Sequence, residues 1–277
     1  MNAKQQTKKK TIKKNKKMRI NLYTTAALAL ALTACGGNVA PEQTATDKTS
    51  TAPFCTPNAS ATKAEGGEIA AAAANTYTYQ TEGGIDAKVY KPKETATITF
   101  SGFPKTVEEF KKAQETLGTT PAGAVLLELF AFEIYNHDHA AGTECLNMAN
   151  TSSNVDCVLR ILKDRYNPSY GDYYTPQLVA TFLNGATPEN GYKASKPFKV
   201  TVRSHPKNGY EDSNTLKGTV LHLEAFSNGY DTNWRGISVV KSKGEKYYKV
   251  VNNPATYTQC KPVSFKTDDE YTDIWNQ

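Results

Sequence analysis

No aspartate or glutamate occurs in the first 34 residues, which hold eight lysines and Arg19. The whole chain has 33 basic and 27 acidic residues, for a formal charge of +6. Without the nine basic residues of the leader, residues 35–277 carry 24 basic against 27 acidic side chains, a net of about −3. That balance removes the basic footprint a nucleic-acid partner or a polybasic membrane contact needs, so no nucleic acid is expected. The usual catalytic signatures are also missing. There is no Gly-x-Ser-x-Gly elbow, no Ser-x-x-Lys with its companion motifs, no His-Glu-x-x-His and no phosphate-cradling glycine loop. An enzyme loses its common signals here, and no cofactor and no metal are expected. Large apolar residues are scarce between Gly36 and Asn75, a stretch of Ala, Thr, Pro, Ser, Gly and Glu that cannot offset its ordering entropy by burial.

What is present begins with an export signal. A basic start is followed by an uncharged segment from Ile20 to Leu32 and then by Leu32-Thr33-Ala34-Cys35, too short for a membrane span and shaped like a secretory signal with a small-residue cleavage site. Translation from Met18 gives a signal of conventional length; translation from Met1 adds only positive charge on the cytoplasmic flank. The cysteine at the cleavage point resembles the lipobox of bacterial lipoproteins, which implies a diacylglycerol on Cys35 and anchoring to the lipid bilayer. Gly36 after the cysteine, by resemblance to enteric lipoproteins, implies the outer membrane in a two-membrane cell; in a one-membrane cell the anchor sits on the outer face of the cell membrane.

The expected organisation is a signal peptide over 1–34, the lipidated cysteine and a flexible tether over 35–90, a globular α+β domain over 91–265 and a tail over 266–277. Beyond Cys35, four cysteines remain. Export makes disulfides the natural reading; locality favours Cys145 with Cys157, leaving Cys55 with Cys260. None of the spacings resembles a zinc knuckle.

Within the folded part, a short strand at 96–101 leads to Thr106-Val107-Glu108-Glu109, a capping box that starts a helix ended by Gly118. Thr120-Pro121 then starts a helix apolar nearly all round to Tyr135, the expected core element. A shorter helix carries Cys145. Val155, Val158, Leu159, Leu162 and Tyr166 recur at helical spacing until Asn167-Pro168. From Phe198 the period becomes two, and strands at 219–226, 236–241 and 246–251 follow as an antiparallel meander. Helices packed on a C-terminal sheet make an α+β fold, for which the cone-shaped fold of many exported domains is an analogy of architecture only.

Three runs carry a further resemblance: Ser101-Gly102-Phe103-Pro104-Lys105-Thr106-Val107-Glu108-Glu109-Phe110, Thr120-Pro121-Ala122-Gly123-Ala124, and Gly185 to Tyr192 with Ser195-Lys196-Pro197. In order from about Ala96 to Val263, they resemble an uncharacterised family of bacterial lipoproteins, a domain of unknown function. The chain departs from that pattern at Arg235-Gly236, where the family reads Arg-Pro. The resemblance implies an envelope protein and assigns no activity, cofactor or catalytic residue.

Candidate site residues come from local pattern. His222 and Glu224 alternate on a strand, so they share a face about 7 Å apart; they suit either a base and its orienter in a pocket between core helix and sheet, or a solvent-facing edge of polar residues. Glu189 and Tyr192 sit in a Pro-Glu-Asn-Gly turn that structure alone explains, though a partner can also read such a loop. Tyr170, Tyr173 and Tyr174 form a tyrosine-rich loop suited to contact or to packing. His137 and His139 end the core helix, but positions two apart diverge by about 200° and do not make one metal face.

These residues point first to a non-catalytic envelope lipoprotein that binds another envelope protein or component. A small-ligand or hydrolytic domain using His222 and Glu224, and a purely structural envelope protein, are the alternatives.

Overall fold

Thr106 and Thr120 set where the first two helices begin. In the computed structural model, which describes residues 76–264, 271 and 273–277, each accepts a backbone N–H with its hydroxyl: Thr106 from Glu109 at 3.2 Å and Thr120 from Gly123 at 3.1 Å. The capping box at Thr106 closes one residue further out than the pattern predicts. Glu109 reaches back to the amide of Lys105 at 2.7 Å, and the Tyr77 hydroxyl donates to the same oxygen at 3.4 Å.

The chain runs β1 (Tyr79–Gly83), β2 (Thr95–Phe100), α1 (Val107–Leu117), α2 (Pro121–His137), α3 (His139–Ala149), α4 (Ser152–Arg165), three short 3-10 turns, β3 (Phe198–Ser204), β4 (Glu211–Ser213), β5 (Gly218–Phe226), β6 (Trp234–Val240) and β7 (Lys249–Asn252). All the described residues belong to one compact unit. The expected α+β class is what the structure has, with an antiparallel sheet of seven strands among the described residues. The order is β1-β2-β3-β5-β6-β7, and β4 lies beside the first part of β5. Two strands precede the helices: β2 is expected, whereas β1 lies in the part of the expected 35–90 tether that follows Asn75. The folded part also extends past 265, since Ile274 is buried in the core. No helix of the described residues is long and apolar enough to cross a membrane.

Alternation along the strands fixes which face is covered. Ala96, Ile98 and Phe100 of β2, Phe198, Val200 and Val202 of β3, and Leu221, Leu223 and Ala225 of β5 are all buried in the core, while their polar neighbours point the other way. Against the buried face lies α2, enclosed from Pro121 to Tyr135 by the sheet and by α1 and α3. Phe100, Phe103, Phe130 and Phe198 meet with ring centroids 5.3–5.5 Å apart, joining α2 to β2 and β3.

One glycine sets the approach of α3 to α2. A Cβ at Gly142 would lie 2.2 Å from the Tyr135 Cα, so only a residue without one allows the two helices to come this close. A polar knot completes the packing. Glu128, fully buried on α2, accepts from the side-chain amides of Asn150 at 2.5 Å and Asn253 at 2.7 Å, and Asn154 donates to the oxygens of both asparagines at 2.8 Å. Burial pushes the Glu128 carboxyl up to about 8, against the pull of the two amides.

The cysteine pairing expected by locality does not form. Cys145, Cys157 and Cys260 are free thiols. The buried side of α4 is Asn154, Val155, Val158 and Leu162, which leaves Cys157 exposed, whereas Cys145 is buried on α3. Sequence proximity brought the two helices together but not the two side chains. Cys260 is buried, and its expected partner Cys55 lies outside the described residues, as do Cys35, the leader and residues 36–75.

Candidate functional site

The last two turns of α2 place Glu133 and His137 four residues apart, on one helix face. Their separation is 3.3 Å from His137 Nε2 to Glu133 Oε1. From the other end of the sequence, Asp273 brings its Oδ2 to 3.1 Å from the same nitrogen. The side chain of Glu133 is fully buried, and those of His137 and Asp273 are 26% and 27% exposed, so the group runs from the core to the surface. Trp275 stacks on the His137 ring at 3.7 Å and 11°, which fixes the imidazole plane and leaves Nε2 between the two carboxylates.

A pocket of about 490 Å³ opens beside this cluster, lined by Asn136, His137, Tyr174, Pro176, Tyr271 and Asp273. Its volume falls in the range of small-molecule sites. The electrostatics are those of a carboxylate held out of water. Burial pushes Glu133 up to about 7, although His137 pulls the other way. Burial works against a charged His137, but Glu133 and then Asp273 outweigh it and raise its pKa. Nearby, the buried hydroxyl of Tyr166 is raised well above its ordinary value, first by burial and then by the charge of Glu133. Among the described residues, Glu133 Oε2, the Tyr166 hydroxyl, Thr175 Oγ1 and Trp275 Nε1 are buried without a hydrogen-bond partner.

The sequence matches the family described as Domain of unknown function (DUF6935) over residues 102–264. The chain belongs to this family. No curated protein and no solved structure matches it. The DUF6935 match contains Glu133, His137 and Tyr174, whereas Tyr271, Asp273 and Trp275 come from beyond it.

The residues singled out by local pattern separate. His222 and Glu224 do share a face, but it is the sheet face turned away from α2, so they do not line a pocket between core helix and sheet. His222 Nδ1 is 2.9 Å from the Ser238 hydroxyl, and its Nε2 is 3.8 Å from Glu211. Glu224 accepts from Arg203 Nε at 2.7 Å, with the terminal guanidinium nitrogen at 2.6 Å, across directly opposed positions of β3 and β5. Arg203 lies 3.8 Å over the Trp234 ring. These are the cross-strand pairs of a polar sheet face.

Tyr192 also moves, from a contact loop to the core. It is fully buried, has a positive φ of 58°, and its hydroxyl donates to the Lys261 carbonyl at 2.7 Å. Glu189 is exposed in a turn that Asn190 holds, accepting from the Thr187 and Lys193 amides and donating to the Gly185 and Lys193 carbonyls. Tyr170 and Tyr173 are 44% and 58% exposed, and Tyr174 lines the pocket. His139 does not end the core helix as expected: Asp138 is extended, α3 starts at His139, and its ring stacks on Tyr135 at 4.5 Å, outside the His137 cluster. The Glu-x-x-x-His spacing of residues 133 and 137 was a legible signal for the cluster; Asp273 had none.

Proposed function

We propose that this chain is an exported lipoprotein, anchored to the cell envelope through diacylglycerol on Cys35, whose DUF6935 domain is a binding module. The anchoring reading is supported by the apolar run and Leu32-Thr33-Ala34-Cys35. The binding reading is carried by one observation, the pocket beside Glu133, His137 and Asp273, where a buried carboxylate, an imidazole and two tyrosines converge. Convergent polar groups at the mouth of a pocket are what orient a bound envelope component. The outer-face residues His222 and Glu224 already engage Ser238 and Arg203, which leaves the pocket as the domain's better-equipped surface.

Metabolic labelling with palmitate tests the anchor. The wild-type chain takes up label and sediments with membranes, and Cys35→Ser abolishes both; label on the variant would overturn the anchor. For the pocket, a photo-crosslinking residue at Tyr174 should give one recurring adduct in cells, lost in His137→Ala. An adduct pattern unchanged by that substitution would remove the pocket from the binding reading.

A further inference from the structure

One nitrogen facing two carboxylates does not close as a set of hydrogen bonds. Nε2 of His137 carries at most one proton in any ionisation state, so it cannot donate fully to both Glu133 Oε1 at 3.3 Å and Asp273 Oδ2 at 3.1 Å. With all three groups ionised, the cluster keeps an excess negative charge, and one of its members is fully buried. A proton on Glu133 or a cation seated between the three groups balances that charge, and among the described residues no lysine or arginine forms an ion pair with either carboxylate.

The geometry fits a metal ion. The three ligand atoms lie within 4.8 Å of one another. Donors about 2.0 Å from a tetrahedral ion are separated by about 3.3 Å, close to both nitrogen–oxygen distances. An independent observation points the same way. Among the described residues, the second oxygen of Glu133 is buried with no partner at hydrogen-bond geometry, although the Asn136 side chain lies near enough to pull on the carboxyl, and the buried Tyr166 hydroxyl, close enough to feel the Glu133 charge, has none either. Buried polar atoms are nearly always paired, so orphans gathered round one carboxylate mark a place built for something further.

We propose that Glu133, His137 and Asp273 bind a first-row divalent metal ion, with Zn²⁺ the best fit. One imidazole and two carboxylates form a borderline-hard donor set without sulfur, and three protein ligands leave a fourth position open towards the pocket. Glu133 is held rigidly by α2, and Trp275 fixes the His137 ring. Asp273 then ties the C-terminal segment to the end of α2 through the ion. This inference rests on the pocket being the binding site and is independent of the lipid anchor.

The test is zinc titration of the full chain in detergent, followed by metal analysis after desalting and by the visible spectrum of the Co²⁺-loaded protein. Trp234→Phe leaves Trp275 as the sole indole reporter, since the chain has two tryptophans. The wild type should retain one equivalent and change its Trp275 emission on loading. His137→Ala and Asp273→Asn should each weaken binding at least about tenfold, Asp273→Glu should restore part of it, and Cys157→Ser should leave it unchanged. Circular dichroism of Asp273→Asn confirms that the variant is folded, as expected for a side chain at the surface. No retained zinc, or zinc retained equally by both ligand variants, overturns the site. A chain that takes palmitate on Cys35 and holds no zinc overturns the metal proposal alone; one that holds zinc and takes no palmitate overturns the anchor alone.

Discussion

Glu128 makes the stability of this domain depend on pH in an unusual direction. Its carboxyl is fully buried and raised to about 8 from an ordinary value of 4.5, so the folded state favours the protonated form. The unfolded chain releases that proton near 4.5, and the folded chain near 8. The stabilisation is therefore complete below about 4.5 and is lost as pH rises through the window to about 8. At about 1.4 kcal/mol for each tenfold change in proton affinity, the loss approaches about 5 kcal/mol as an upper figure. Glu133, raised to about 7 by burial, and His137, also raised, act with the same sign. Urea denaturation at pH 5, 6.5 and 8 should show stability falling across the series. Glu128→Gln is expected to be less stable at pH 5, because its amide faces the Asn150 or Asn253 donor, yet to lose roughly half of the pH slope. Stability that rises from pH 5 to 8, or a slope unchanged in Glu128→Gln, would refute the reasoning.

Further outcomes follow from single contacts. Gly142→Ala puts a methyl 2.2 Å from the Tyr135 Cα and should cost about 1–3 kcal/mol or more, read from the urea midpoint. Thr120→Ala removes the hydroxyl that accepts from Gly123 and should cost about 1 kcal/mol by the same measurement. Kinetic thiol labelling should find Cys157 reactive in the folded protein, with Cys157→Ser losing that phase. Cys145 and Cys260, each pushed up to about 12 by burial, should react only on unfolding. His222→Ala should leave both zinc retention and the Tyr174 crosslink unchanged, since His222 lies on the far face of the sheet.

The parts of the fold legible in sequence were those fixed by neighbours along the chain. Thr106 and Thr120-Pro121 marked helix starts because a cap is a contact across three residues. The run from Ala122 to Tyr135 marked the core helix because burial on all sides leaves no polar stripe. Phe198, Val200 and Val202 marked a strand because their alternation has one buried face. β1 escaped notice for the opposite reason: Tyr79 is half-buried, the next four residues are exposed, and an edge strand of that kind has no alternation to read. Tyr192 looked like a loop contact because its turn was legible and its burial against Lys261 was not. At the site, Glu133 and His137 lay at a readable helical spacing, but their burial and the arrival of Asp273 from 136 residues further on are facts of tertiary packing. His222 and Glu224 were correctly placed on one face; which face met the helix depended on the neighbours of β5, and Leu221 and Leu223 took the core side.

Zinc K-edge absorption of the loaded full chain tests the site at the end of α2 most directly. A shell of nitrogen and oxygen donors at about 2.0–2.1 Å, with the outer-shell pattern of a single imidazole that disappears in His137→Ala, is the expected result. A sulfur shell at about 2.3 Å would place the ion on cysteines and contradict it.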